Sequence, residues 1–169
     1  MFPHMQLSAL GIIHTAVAVV ALGSAAAALL RHKEISLSFK SGRLYLATTL
    51  LTAVTSYGIF AHGHPTPGHY LAALTVVALG VGYAAERGAF GKASRSVQAA
   101  SFSLTVLFHL IPGFTETLTR LPLAAPIASS PEAPIFQRIY PALFVAWLIG
   151  VSLQIRYLRK APAEIAYQP

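Results

Sequence analysis

The chain has 169 residues, of which 55% are hydrophobic and only 10% are charged, and its mean hydropathy is +0.62. Soluble domains carry about a quarter charged residues, so this composition excludes an ordinary soluble domain. The net charge of +7 lies in short basic clusters between apolar segments, which is typical of membrane topology and not of a nucleic-acid-binding face. The chain has no cysteine, which excludes disulfides, thiol redox chemistry, c-type haem attachment and Cys-ligated zinc within it.

Five apolar segments predict one domain, residues 1–169, built as an all-α polytopic bundle of about five transmembrane helices. The alternative is a four-span bundle in which one segment is re-entrant or interfacial. The first segment lacks the basic start of a signal peptide and is predicted to be a retained helix. Its inner half, residues 23–28, consists of small residues that allow close approach of a neighbouring helix. The predicted spans are residues 6–30, 44–61, 70–85, 96–116 and 139–157.

Basic residues predict the orientation of the bundle. In the five-span arrangement only Arg120 and Arg138 fall on one side, and the other ten basic residues fall on the opposite side. The positive-inside rule therefore predicts an external N-terminus and a cytoplasmic C-terminus. The ten are Arg31, Lys33, Lys40, Arg43, Arg87, Lys92, Arg95, Arg156, Arg159 and Lys160.

Two connections carry turn signals. The stretch 62–69 is short, turn-rich and free of Lys and Arg, as expected for an outside loop. The stretch 123–134 is rich in proline and small residues and predicts an irregular outside loop.

The second and fourth segments carry polar residues at helical spacing. In the second segment Tyr45 shares a face with threonines at 48, 52 and 55, and the simplest interpretation is that these hydroxyls bond carbonyls of their own helix. In the fourth segment Pro112 is expected to kink the helix, but if the helix continues, His109 and Glu116 share one face. Glu116 and Arg120 have the i,i+4 order that favours an ion pair. The fourth segment's stripe is Gln98, Ser101, Thr105, His109 and Glu116.

Histidines concentrate toward the outer side, where six of the seven lie, and only His32 is on the basic side. His14 is about 12 Å from the outer end of its helix, and His109 lies about 10 Å inside Glu116, so the two are predicted at similar depth. Ionisable residues within a span suggest function. His14 and His109 are the candidate cofactor ligands; His62, His69 and Glu116 are the candidate metal ligands. The remaining outer histidines are His4 and His64.

Three chemical uses fit these residues. Two facing histidines can ligate the iron of haem b, and three nitrogens or two with a carboxylate can hold a divalent metal. A histidine and a carboxylate lining a cavity can instead relay protons or bind a quinone head group. Against all three, the loop histidines can be solvated residues near the headgroups, and His109 can be a hydrogen-bonding residue between helices.

Three further blocks of sequence are residues 42–45, residues 58–63 followed by Gly68-His69, and residues 109–122, the most specific of the three. Together they resemble an uncharacterised family of small bacterial integral membrane proteins with a domain of unknown function. The resemblance implies a bacterial inner-membrane location and a multi-helix bundle, and it implies no activity.

Two functions therefore follow from the sequence. The first is an inner-membrane protein whose periplasmic His/Glu cluster binds a metal or haem, with a redox link. The second is a non-catalytic accessory subunit or a small proton-coupled transporter. The expected partners are the lipid bilayer and a homodimer or larger membrane complex, with no nucleic acid. Whether the chain is an enzyme stays open, since no hydrolase triad, phosphate loop or nucleotide fold is recognisable.

Overall fold

The computed structural model describes residues 8–59 and 66–160, and within these ranges the chain forms helices and no strands. The predicted all-α fold is therefore confirmed. One short 3-10 turn, Gly91–Ala93, precedes the fourth helix. The helices are α1 Ala9–His32, α2 Lys40–Ser56, α3 Pro67–Glu86, α4 Ser94–Arg120 and α5 Phe136–Lys160.

Four of these helices, α1, α3, α4 and α5, are long and apolar enough to cross a membrane, which makes this a multi-pass membrane protein. The exception, α2, has 17 residues, or about 25 Å at 1.5 Å per residue. Its exposed face is apolar, with Val54 56% exposed, whereas Thr49 is fully buried. A polar face turned inward and an apolar face turned outward suit a helix surrounded by hydrocarbon. α2 is therefore a helix of the bundle whose inward face is polar.

Consecutive helices pack as antiparallel neighbours. α1 lies along α2, α2 touches α3, α3 lies along α4, and α5 packs mainly on α4. Small side chains allow α1 and α2 to approach closely, since Ala21, Ala25 and Ala28 of α1 are buried together with Tyr45 of α2. This confirms the packing role predicted for the small residues of α1. These residues form the core together with Ile35, Leu46 and Phe102.

Because consecutive helices run in opposite directions, the ends of all five helices that carry the basic residues lie at one end of the bundle. The end that holds the linkers 33–39 and 87–93 and the C-terminus of α5 is named the basic end, and the opposite end is named the histidine end. The ten basic residues grouped by the sequence pattern all lie at the basic end. Arg120 and Arg138 lie at the histidine end, at the C-terminus of α4 and in the first turn of α5.

The linker between α1 and α2 is buried although it is not helical. Glu34 is 6% exposed and lies against Arg95 of α4, with 3.2 Å between carboxylate Oε1 and guanidinium Nη2. The Glu86 carboxylate of α3 accepts the backbone N–H of Leu37 at 2.8 Å and the hydroxyl of Ser36. The linker is therefore fixed to both α3 and α4 by side-chain carboxylates and their donors.

The fourth helix continues through Pro112 and ends at Arg120. The predicted alignment of His109 and Glu116 on one continuous helix is therefore confirmed. The following segment 121–135 has no helix, as predicted, and folds back so that the N–H of Ala128 donates to the carbonyl of Leu118 at 2.9 Å.

Candidate functional site

His109 lies inside the bundle, on the face of α4 that is turned toward α2. It is 8% exposed, and its Nε2 is 3.1 Å from the hydroxyl of Thr49, which is itself fully buried. The edge of its ring contacts Tyr45, with 6.2 Å between ring centroids. A histidine so enclosed is held by its hydrogen bond and by the packing of two helices.

Tyr45 and Thr105 form the next contact toward the basic end. Their hydroxyl oxygens are 2.5 Å apart, and both residues are fully buried. Thr105 gives its proton to the carbonyl of Phe102 at 2.7 Å, so Tyr45 is the donor in this contact. The phenol oxygen therefore keeps its lone pairs for a further donor.

His14 on α1 contacts α2, at a position nearer the histidine end than that of His109. Its Nδ1 is 3.0 Å from the hydroxyl of Thr55, and that hydroxyl already donates to carbonyls of its own helix, with 2.9 Å to the carbonyl oxygen of Leu51. A hydroxyl has one proton, so when Thr55 donates to a carbonyl of α2 it accepts from Nδ1 of His14.

These contacts connect three helices along one face of α2. The group of His14, Thr55, Thr49, His109, Tyr45 and Thr105 is named the histidine line. Its two imidazoles reach α2 at Thr49 and Thr55, which are about 9 Å apart along the helix axis. His14 thus lies closer to the histidine end than His109, so the similar depth expected from the sequence is only approximate.

Glu116 lies at the histidine end with its side chain 58% exposed. It pairs with Arg120, with 2.5 Å between carboxylate Oε2 and guanidinium Nε, in the i,i+4 arrangement that the sequence predicts. The ion pair is confirmed, and it places a charged pair at the histidine end of α4.

The other candidate ligands do not join this group. His69 is 6% exposed and caps α3: its Nδ1 accepts the backbone N–H of Thr66 at 3.0 Å. His32 stacks on Phe39 at the basic end, with 3.7 Å between ring centroids. His62, together with His4 and His64, lies outside the described residues.

The described ranges contain no group of three or more His, Cys, Asp or Glu side chains placed to hold a metal ion. The metal site predicted from His62, His69 and Glu116 therefore gains no support from the two of these that the structure describes. His14 and His109, the predicted cofactor ligands, are brought near each other, but each is held by a threonine of α2.

Sequence reasoning found the histidines and missed their partners. The threonines at 48, 52 and 55 do bond carbonyls of their own helix, as predicted. Thr49 and Thr105 were not assigned contacts. The sequence does contain a signal for these contacts, because each helix has polar residues four positions apart. Tyr45 and Thr49 on α2 face Thr105 and His109 on α4.

Comparisons with known protein families, with curated proteins and with solved structures give no match. The resemblance to a bacterial membrane-protein family stays a prediction, and the geometry of the histidine line is what supports a function.

Proposed function

We propose that this is a multi-pass protein of the bacterial inner membrane that moves protons along the histidine line as part of a proton-coupled transport cycle. The observation that carries this proposal is His109, an ionisable side chain buried between α2 and α4 and bonded to a buried hydroxyl. Ionisable residues inside membrane spans are costly and commonly belong to ion or proton pathways.

The chemistry of the line suits proton transfer. An imidazole accepts a proton at one ring nitrogen and releases one from the other, so His14 and His109 can each pass a proton onward. The hydroxyls of Thr49, Thr55 and Tyr45 both donate and accept hydrogen bonds. Half-buried His14 and Thr55 near the histidine end are therefore followed by buried Thr49, His109 and Tyr45 in the middle of the bundle.

The line reaches a partly exposed residue at one end only. His14 is half-buried near the histidine end, whereas Phe102 and Ile35 belong to the apolar core that lies from Tyr45 toward the basic end. With the basic end in the cytoplasm, as the positive-inside rule favours, protons enter from the periplasm and stop at Tyr45. Delivery to the cytoplasm then requires α2 and α4 to move relative to each other, as in alternating access. A second copy of the chain would help to enclose such a pathway.

The test is proton entry into liposomes that contain the purified protein and a trapped pH-sensitive dye. A potassium diffusion potential, negative inside, drives the entry. We expect protein-dependent acidification that falls to the rate of protein-free vesicles in His109→Gln and His14→Gln, because glutamine keeps hydrogen-bonding groups but does not titrate.

His32→Gln is the matched control, since His32 stacks on Phe39 at the basic end, away from the line. It should conduct like the parent protein. Equal rates in the parent protein and a folded His109→Gln variant, or no protein-dependent entry at all, would contradict the relay.

A second candidate function is haem or metal ligation by His14 together with His109. The observation that favours it is the 3.0 Å contact between Nδ1 of His14 and the hydroxyl of Thr55, because ligating histidines usually hydrogen-bond through one ring nitrogen while the other binds the metal. Protein expressed with haem precursor and metals supplied should then show a Soret band or stoichiometric metal, lost in His14→Ala and His109→Ala. A colourless, metal-free sample would overturn this candidate and leave the relay intact.

A further inference from the structure

A groove of about 550 Å³ lies between α1, α4 and α5, away from the histidine line. Its volume falls within the range of small-molecule sites, roughly 300 to 1,000 Å³. Along α5 it extends from Leu143 to Tyr157, or about 21 Å at 1.5 Å per residue. One leaflet of a bilayer has a hydrocarbon depth of about 15 Å, so the groove is long enough for an acyl chain.

The groove has an apolar body and a polar end. The body is formed by residues such as Leu107, Leu110 and Ala146. Two polar groups within it satisfy each other, since the indole N–H of Trp147 donates to the hydroxyl of Ser103 at 3.2 Å. The body of the groove therefore suits a hydrocarbon chain, because its polar groups already have hydrogen-bond partners.

The polar end of the groove coincides with the basic end of the bundle. Lys33 and Gln154 line it there, and the side-chain amide of Gln154 donates to the carbonyl of Lys33 at 2.8 Å. The ammonium of Lys33 donates to the carbonyl of Leu30 at 3.0 Å, which leaves two of its three hydrogens for another acceptor. Arg156 and Arg159, both exposed, follow along α5, and Arg159 lies in its last turn.

We propose that this groove binds one anionic phospholipid of the leaflet at the basic end, with an acyl chain along α5 and the phosphate at Lys33. Charge complementarity selects this occupant. An uncharged helix of a second copy would satisfy the apolar body but would leave the basic end without a partner, whereas an anionic amphiphile satisfies both. The inference does not rest on the proton relay, because none of the six residues of the histidine line contributes to the groove.

Native mass spectrometry of the detergent-purified full chain tests the proposal, with dioleoyl phosphatidylglycerol and dioleoyl phosphatidylcholine as probes. We expect one bound lipid per chain and a preference for phosphatidylglycerol. Lys33→Gln should reduce that preference about fivefold, the effect of removing one basic group near an anionic headgroup.

Gly150→Phe tests the body of the groove. A Cβ at Gly150 meets no atom within 4 Å, so the ring can be accommodated and should fill the space that the acyl chain needs. The matched control is Gly80→Phe on α3, where a Cβ also meets no atom within 4 Å and which lies outside the groove. Lipid retention should be lost in Gly150→Phe and kept in Gly80→Phe.

Three results would overturn the proposal. They are equal lipid retention in Gly150→Phe and the parent protein, equal affinity for the two lipids in the parent protein, and a lipid-free dimer that Gly150→Phe converts to a monomer. The last result would assign the groove to a second copy of the chain.

Discussion

The basic end and the histidine line both bury polar groups, but they do so in different ways. At the basic end, carboxylates fix a buried linker: Glu34 faces Arg95, and Glu86 accepts two hydrogen bonds from the segment at Ser36. In the histidine line, threonine hydroxyls of α2 bond imidazoles of two other helices, at 3.0 Å for His14 and 3.1 Å for His109. The difference suggests that the first region holds the fold together and that the second carries chemistry.

The largest effect on stability is expected from Gly42→Ala, which tests how tightly the linker packs at the basic end. A Cβ at Gly42 would lie 2.0 Å from the carbonyl oxygen of Ser36, which is backbone and cannot move aside alone. Overpacking of this kind costs about 3 kcal/mol, or an apparent Tm lower by roughly 6 to 12 °C. Thermal unfolding of the detergent-purified protein measures it.

Gly80→Ala is the matched control for that change. A Cβ at Gly80 meets nothing within 4 Å, and alanine is the better helix former by about 1 kcal/mol, so the Tm should stay or rise slightly. Equal Tm values for the two variants would remove the argument that the linker is a fixed part of the fold.

A smaller effect is expected from Arg95→Met, which breaks the ion pair at the same end. Glu34 would keep a buried carboxylate without its partner, while Arg95 itself is 34% exposed, so we expect a cost of about 2 kcal/mol, between the values for buried and exposed pairs. The Tm should fall by roughly 4 to 8 °C in the same assay.

Arg159→Met is the control that distinguishes loss of the Glu34–Arg95 ion pair from loss of positive charge at the basic end. Arg159 is exposed and makes one long contact, 3.4 Å from its Nε to the hydroxyl of Ser96. Its removal should leave the Tm nearly unchanged. A decrease equal to that of Arg95→Met would mean that net charge, and not the buried pair, stabilises this end.

The smallest effect is expected from Glu116→Gln at the histidine end. The ion pair with Arg120 is solvent-exposed and has i,i+4 spacing, so its loss should cost less than about 0.5 kcal/mol. The Tm should change by no more than about 2 °C. Arg120→Gln should behave alike, and a large decrease in either variant would show that the histidine end also depends on ion pairs for stability.

Helical spacing in the sequence predicts which residues of the histidine line share a face of one helix. It does not predict which residues pair between helices. The positions of His109 and Thr105 on one face of α4 are set by helical periodicity, and in the structure both are buried. His109 meets Thr49 across 60 residues of sequence, and His14 meets Thr55 across 41. Thr48, the neighbour of Thr49, faces its own helix instead, so a rotation of α2 by one residue would change the partner.

The sequence by itself determined the helices and the grouping of basic residues at one end. Each depends on properties of short stretches, namely apolar length, helical period and charge between segments. Only the tertiary structure decided that Glu34 is buried, that the polar face of α2 receives both histidines and that α5 leaves a groove beside Lys33. These features depend on how helices distant in sequence are rotated and spaced against each other, which hydropathy and periodicity do not specify.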